Sequence, residues 1–342
     1  MIDKSEKQIM EKWDTTALDS PLVTICCTAF NHEYYIERAL DGFLMQETTF
    51  PFEVIVHDDV STDRTVEIIR EFENRFPSII KPVYEVENQY SKNDGSLRRI
   101  MYEKAKGKYI ALCEGDDYWC DSDKIQQQAE ALEEHPECTI AFCKVQFVDQ
   151  TGKLLSNTTA PGTGIFRDGI ITLEDLVHNE FGMGNWTFHT SSFLYRAELG
   201  AGHMQIMQEE FSVFPYGDMP LQLYCLMNGN GYYIDKIQSC YRTMSGGYNS
   251  YMEQHPEIQI IHLKNLIKGL EKFDQLTRRK YHKNVTKGIC RTKFRIDVIS
   301  KSWLKVLHPR YIKMGVSLQL KMFIKILFPK TYGRLVLLKR SI

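Results

Sequence analysis

At 342 residues, with 43% hydrophobic and 25% charged side chains, the chain is globular in composition and long enough for one large domain or two unequal ones. These values exclude a collagen-like, low-complexity or largely disordered protein. The formal net charge of −2 conceals an asymmetry: from His262 onward 21 Lys and Arg face only Glu271, Asp274 and Asp297, a net of +18, while residues 1–261 stand at −20.

The first 150 residues alternate strand and helix patterns. Residues 23–28 form a short apolar, β-branched run, as a buried parallel strand should. Asn31 and His32 make a turn, and residues 35–45 read at helical period. A second strand over 53–57 ends in Asp58-Asp59, and Ser61 and Thr62 offer N-caps for a helix over 63–76. A third strand covers 81–86, a helix 97–106 is closed by Gly107, and a fourth strand covers 108–113. A helix over 124–134 and a strand over 139–148 complete the unit. This alternation predicts an α/β fold with a doubly wound, mostly parallel sheet and flanking helices.

From 149 to 184 the pattern breaks into Gly-, Thr- and Asn-rich sequence with one short helix over 173–178. Strand signal returns at 187–195, a helix is expected over 219–227, and 232–242 reads as strand. Beyond Pro256 the pattern is helical. No internal repeat is visible. No apolar run approaches the roughly 20 residues that a membrane-spanning helix needs. The polar, mixed-charge start from Met1 to Glu6 predicts no signal peptide. Nine cysteines without Cys-x-x-Cys spacing read as buried or free thiols of a reducing compartment, so a cytoplasmic location is expected.

In a doubly wound sheet, ligands bind beyond the carboxyl ends of the strands. Asp58-Asp59 stands at the end of the second strand, and Glu114-Gly115-Asp116-Asp117 at the end of the fourth. Two acidic clusters on one edge repel each other unless they hold a cation or hydrogen-bond donors. Oxygen-only ligands suit Mg2+ or Mn2+, and such an ion suits a diphosphate. The competing reading, that the acidic residues cap the following helices, explains either cluster alone better than both together. Gly115 permits close backbone approach.

Five segments then carry a resemblance. Thr28-Ala29-Phe30-Asn31, His57 to Asp63 (H-D-D-V-S-T-D), Glu114 to Trp119 (E-G-D-D-Y-W), Tyr216 to Leu221 (Y-G-D-M-P-L) and Tyr241 to Gly247 (Y-R-T-M-S-G-G) occur in order. Together they resemble the inverting family 2 glycosyltransferases of GT-A fold over residues 20–250. The resemblance implies that Thr28, Phe30, Asn31, Asp58 and Asp59 help to hold the donor nucleotide, with Phe30 stacking on the base, and that Arg98 lies near it. Glu114, Asp116 and Asp117 match the metal and ribose group; Glu114 stands where the family usually has Asp. Both Asp116 and Asp117 are carried as metal ligands. Trp119 is expected to pack under this loop, and Asp218 matches the general base. That aspartate also suits an N-cap, since Pro220 follows in a first helical turn. Met244 stands where the family usually has His, and a thioether is a poor ligand for hard Mg2+ or Mn2+. Arg242 is expected to pair with phosphate, and His189 reads as a satisfied core histidine.

In the basic tail, Lys313, Ser317, Lys321 and Lys325 mark one polar stripe among Val316, Leu320, Phe323, Ile324, Leu327 and Phe328. This pattern fits a helix at an anionic membrane surface or, alternatively, one docked on protein; no nucleic-acid motif accompanies it. The expected organisation is an N-terminal extension over 1–19, a GT-A domain over 20–250 and a basic helical region over 251–342. The GT-A domain divides into nucleotide-sugar binding over 20–150 and an acceptor side over 151–250. The resemblance implies transfer of a sugar, expected from a UDP-sugar, to a glycan or lipid-linked glycan hydroxyl in bacterial surface polysaccharide assembly. The alternatives are a non-catalytic partner of the same fold and a nucleotidyltransferase; the latter normally has a Gly-rich loop that Cys26 to Asn31 lacks.

Overall fold

The computed structural model describes residues 2–14, 20–92, 94–155, 164–184, 186–244 and 248–306, together with 308, 311 and 324. It divides into two compact units: one of residues 1–173, 187–206 and 221–243, and one of 174–186, 207–220 and 244–342.

The first unit opens with a short helix, α1 (Glu6–Ile9), whose Ser5 and Gln8 form a reciprocal capping box. There follow β1 (Val23–Ala29), α2 (Ile36–Leu44), β2 (Phe52–Asp58), α3 (Thr65–Arg75), β3 (Ile80–Tyr84), α4 (Ser96–Lys104) and β4 (Tyr109–Leu112). The chain continues with β5 (Tyr118–Trp119), α5 (Lys124–Glu134), β6 (Cys138–Val148), β7 (Gly169–Ile171), α6 (Leu173–Val177), β8 (Leu194–Arg196), α7 (Gly200–Glu209), α8 (Asp218–Asn228) and β9 (Asn230–Arg242); of these, α6 from 174 on, α7 after 206 and α8 before 221 fall in the second unit. The strands make one sheet in the order β3-β2-β1-β4-β8-β6-β9-β5, with β7 on β9.

β1 through β4 are paired in parallel and interleaved with helices, as the sequence predicts. Their interior residues are apolar because both faces are covered; Val23, Ile25, Val54 and Val56 are completely buried. Beyond β4 the sheet becomes mixed. β8 runs antiparallel to both β4 and β6, while β6 and β9 pair in parallel through three register shifts.

Three local expectations are corrected. Only Leu194–Arg196 of the 187–195 segment is strand; Thr190–Ser192 is a 3-10 turn capped by His189, whose Nδ1 accepts the Ser191 N–H. α7 escaped prediction because Gly200 and Gly202 are poor helix formers. A Cβ on Gly202 would stand 2.0 Å from the Tyr224 hydroxyl. Ser61 and Thr62 do not cap α3; the side chain of Asp63 receives the Thr65 N–H there instead.

In the second unit, α6 runs on into a π-helical turn, His178–Met183, that ends at Gly184 in the left-handed region (φ 78°). Arg291 donates to the carbonyls of Phe181 and Gly182 and so clamps that turn. The helices α10 (Pro256–Leu276), α11 (His282–Ile299) and α12 (Trp303–Val306) realise the helical pattern expected beyond Pro256, and a further helix, α9 (Tyr248–Gln254), precedes them. Lys313, Ser317, Lys321 and Lys325 of the polar stripe and residues 329–342 lie outside the described residues, as do Ser245, Gly246 and Gly247. Among the described residues no helix is long and apolar enough to cross a membrane. All nine cysteines are free thiols, seven of them buried.

Candidate active site

The ends of β1, β2 and β4 lie side by side, because Ala29 pairs with Asp58 and Cys26 with Leu112 in parallel register. Three loops therefore leave the sheet on one edge, and hydrogen bonds lace them together. Asn31, in the left-handed region at φ 55°, donates its N–H to Ser61 Oγ (2.9 Å) and accepts the Thr62 N–H at Oδ1 (2.8 Å). The Gly115 N–H reaches the Thr28 carbonyl at 2.8 Å, and the Asp59 N–H reaches that of Ala29 at 2.9 Å. Thr28 is half-buried at the strand end, and Phe30 is 47% exposed, offering an open ring face.

Asp58 and Asp59 are both buried and act differently. Asp59 accepts the amides of Gln89 (2.6 Å) and Tyr90 (2.9 Å), so it fixes the segment after β3. Asp58 accepts the Ser61 amide at Oδ2, while its buried Oδ1 has no hydrogen-bond partner among the described residues. An orphaned buried carboxylate oxygen is costly.

In the third loop the Asp117 N–H turns back to the Glu114 carbonyl. Glu114 and Asp116 are half-buried and Asp117 is 2% exposed. Burial, then the Asp116 and Glu114 charges, push the Asp117 carboxyl well above the usual range, against the pull of Arg242. A bound cation reverses that pressure. Among the described residues no three His, Cys, Asp or Glu side chains are grouped to hold a metal by themselves. An ion held by one or two carboxylates and completed by phosphate and water, the habit of Mg2+, needs no larger cluster.

Two residues join the site that sequence reasoning did not include. His32 has a buried Nδ1 without a hydrogen-bond partner among the described residues, and a Cβ on Gly115 would stand 2.9 Å from it. Burial lowers the His32 pKa, while Asp116, Asp63 and Asp58 raise it; carboxylates from the two loops after β2 and β4 thus act on one imidazole. Burial alone would raise the Asp63 carboxyl, but hydrogen bonds from Thr65 and the Glu33 amide hold it below the usual range. His32 follows Asn31 directly and Asp63 closes the second motif, so position was the available signal.

The remaining predicted residues are placed as follows. Trp119 is buried under the loop, its Nε1–H donating to the Ser191 carbonyl at 3.0 Å. Burial pushes the His189 imidazole down to about 3, so its 3.7 Å approach to Asp117 Oδ2 is a contact of a neutral ring, not an ion pair. Arg98, on α4, acts electrostatically on Cys26 and on the buried group Tyr102, Tyr195 and His203. Arg242 is 4% exposed; its Nε donates to the Asp116 carbonyl and its Nη1 to those of Asp149 and Gln150. Asp218 and Met244 belong to the second unit, both half-buried. Asp218 is the first residue of α8, and its Oδ1 accepts the Met219 N–H at 2.7 Å. A cavity of about 380 Å³ lined by Tyr102, Ile110 and Met204 contains none of the predicted site residues.

A family model described as glycosyl transferase family 2 matches residues 24–196. The uncharacterized protein Rv1520 of Mycobacterium tuberculosis is 33% identical over 202 residues, 59% of this chain and 52% of that protein. The poly(ribitol-phosphate) beta-N-acetylglucosaminyltransferase TarS of Staphylococcus aureus is 27% identical over 153 residues, 43% of this chain and 25% of its own. The structure of TarS residues 1–349 with UDP-GlcNAc matches with a TM-score of 0.51 at 18% identity, covering 89% of this chain and 81% of that one. The mannosyltransferase PcManGT of Pyrobaculum calidifontis, in complex with GDP-Man and Mn2+, matches with a TM-score of 0.51 at 14% identity, covering 91% and 88%. These likenesses establish the GT-A fold. The chain spans about half the length of the first curated relatives it matches.

Proposed function

The chain belongs to glycosyl transferase family 2, and from that premise we propose that it is an inverting glycosyltransferase. It takes a sugar from a nucleotide donor, a UDP-sugar, and places it on a hydroxyl of a glycan or lipid-linked glycan during surface polysaccharide synthesis. One observation carries this reading: three strand-end loops bring Asp58, Asp59, Glu114, Asp116 and Asp117 to a single edge beside the exposed Phe30 ring. TarS, crystallised with UDP-GlcNAc, and PcManGT, with GDP-Man and Mn2+, lend support by fold.

In this mechanism Phe30 stacks on the base, and Thr28, Asn31 and Asp59 shape its pocket, with Arg98 nearby. Asp116 and Asp117 would hold Mn2+ or Mg2+, with Glu114 beside them. When bound, the ion neutralises charge that builds on the departing diphosphate. Asp218 takes the proton of the acceptor hydroxyl as its oxygen attacks the anomeric carbon from the face opposite the diphosphate. The chain from His262 onward, at +18, is suited to an anionic membrane surface at the cytoplasmic side.

The test is thermal stability against UDP, GDP, dTDP and CMP, each with and without Mn2+. A ligand at 100 times its dissociation constant adds about 2.7 kcal/mol. A shift for UDP that Mn2+ enlarges is the expected result; no shift with any nucleotide refutes the reading. Asp218→Asn should lower turnover about 100-fold or more, with nucleotide binding retained. Unchanged turnover removes Asp218 as the base.

A further inference from the structure

Arg242 is the last residue of β9, and the sheet places it opposite Val148, the last of β6. Its backbone N–H donates to Asp117 Oδ1 at 2.8 Å. Its side chain turns back over the same loop, with Nε on the Asp116 carbonyl at 2.8 Å. Nη1 reaches the carbonyls of Gln150 (3.0 Å) and Asp149 (3.3 Å) in the turn after β6. Three of the five guanidinium donors are therefore spent on main-chain acceptors.

Aromatic rings flank the same group. The Arg242 Cζ stands 4.8 Å from the Tyr35 ring centre and 5.4 Å from that of Tyr118, and the Arg38 Cζ lies 3.9 Å over Tyr118. The turn is built to admit both arginines. Asp149 Oδ1 accepts from the amides of Thr151 and Lys153, and Gly152 sits at φ 85°. A Cβ on Gly152 would come within 2.3 Å of Arg38 Nη1 and 3.6 Å of Arg242 Nη1.

We propose that Arg242 is a positioning residue rather than a ligand of the donor diphosphate: it ties the Asp116–Asp117 loop to the 149–152 turn and aims the two carboxylates at the metal. The inference rests on the glycosyltransferase reading above. A diphosphate ligand would present its fork to the pocket, whereas this one is 4% exposed and committed to carbonyls on both sides. Groups that orient metal ligands without touching the metal are worth about 10- to 100-fold in metal affinity.

The experiment is a calorimetric titration of UDP, and in parallel GDP, into wild type and Arg242→Lys, without metal and across a Mn2+ series. Lysine keeps the charge and loses the fork. Positioning predicts metal-free affinity within about twofold of wild type and a half-maximal Mn2+ concentration at least about tenfold higher. Gly152→Ala, which adds no charge and crowds Arg38, should shift the Mn2+ requirement the same way and stands in if Arg242→Lys does not fold. Equal loss of nucleotide affinity with and without Mn2+ makes Arg242 a direct ligand and overturns the proposal. An unchanged Mn2+ requirement in a folded variant also overturns it. A wild type that binds no nucleotide at all brings down the glycosyltransferase reading itself, before any variant is compared.

Discussion

Asp117 and Lys124 are seven residues apart and equally buried, yet the molecule treats their charges in opposite ways. Asp117 sits in a loop with Asp116 and Glu114 pressing on it, and burial with those neighbours drives its carboxyl far above the usual range. Lys124 opens α5 inside the core, with Nζ donating to Gln128 Oε1 at 2.7 Å and lying 4.1 Å over the Trp119 ring. Burial alone drives that amine down, to about 8. Crowded carboxylates on an edge are worth their cost if a cation arrives; an amine surrounded by a ring and an amide answers burial by holding its proton less tightly. The difference separates a site from a core.

The largest expected effect breaks the site half of this comparison. Asp117→Asn removes the charge but keeps an oxygen for the Arg242 N–H. Turnover should fall on the order of 100-fold, and the Mn2+-dependent shift with UDP should shrink. The folded carboxyl binds its proton more tightly than the unfolded one, so from the unfolded pKa upward ionisation favours unfolding. The variant should therefore melt at or above the wild-type temperature at pH 7, a trade of stability for function. Normal turnover, or a lower melting temperature, would show that Asp117 is only structural.

Lys124→Met tests the core half. The folded pKa of about 8 lies below the ordinary 10.5, so between those values the unfolded chain binds more protons and stability rises with pH. Below pH 8 the penalty is fully present, about 3 kcal/mol at 1.36 kcal/mol per pKa unit. Urea unfolding at pH 7.5 and pH 10 should show the wild type gaining on the methionine variant by an amount of that order. Parallel stabilities at the two pH values would place the charge of Lys124 in better solvation than its burial implies.

How far these features can be read from sequence depends on what satisfies them. The strands β1 to β4 were legible because apolar runs lie between turn signals, and α5 falls on the expected residues 124–134. Both acidic loops were legible because their carboxylates follow those runs directly. The 187–195 segment was not. Its aromatic and hydroxyl residues suit a strand, but His189, Ser191 and Ser192 satisfy one another in a tight turn instead. Arg242 was visible as a basic residue, but its partners are carbonyls of residues 116, 149 and 150, and a backbone acceptor leaves no mark in a sequence. His32 escaped for a related reason: the Asp58 and Asp116 that act on it are brought near only by strand register.

The site edge bears a further cost, in its backbone, and this sets the smallest expected effect. Among the described residues five non-glycine residues have positive φ, and Arg278, Arg279 and Lys301 follow the ends of α10 and α11, where such a turn is routine. Asn31 tolerates the left-handed region because its side chain bonds locally. Val60, at φ 69°, is the β-branched exception, and it stands between Asp59 and Ser61 on the edge that carries the carboxylates. A left-handed L-residue costs about 1–2 kcal/mol, from which the entropy that glycine adds to the unfolded chain, about 0.4–1 kcal/mol, must be subtracted. Val60→Gly should therefore stabilise the protein by roughly 0.5–1 kcal/mol in urea unfolding. A gain with weakened UDP binding would mean that the strain holds Asp59 and Ser61 in their binding positions, as strain at functional sites does elsewhere. A gain with unchanged binding would confine the expense of this site to its charges, and a loss of stability would show that the isopropyl group packs well enough to offset its backbone.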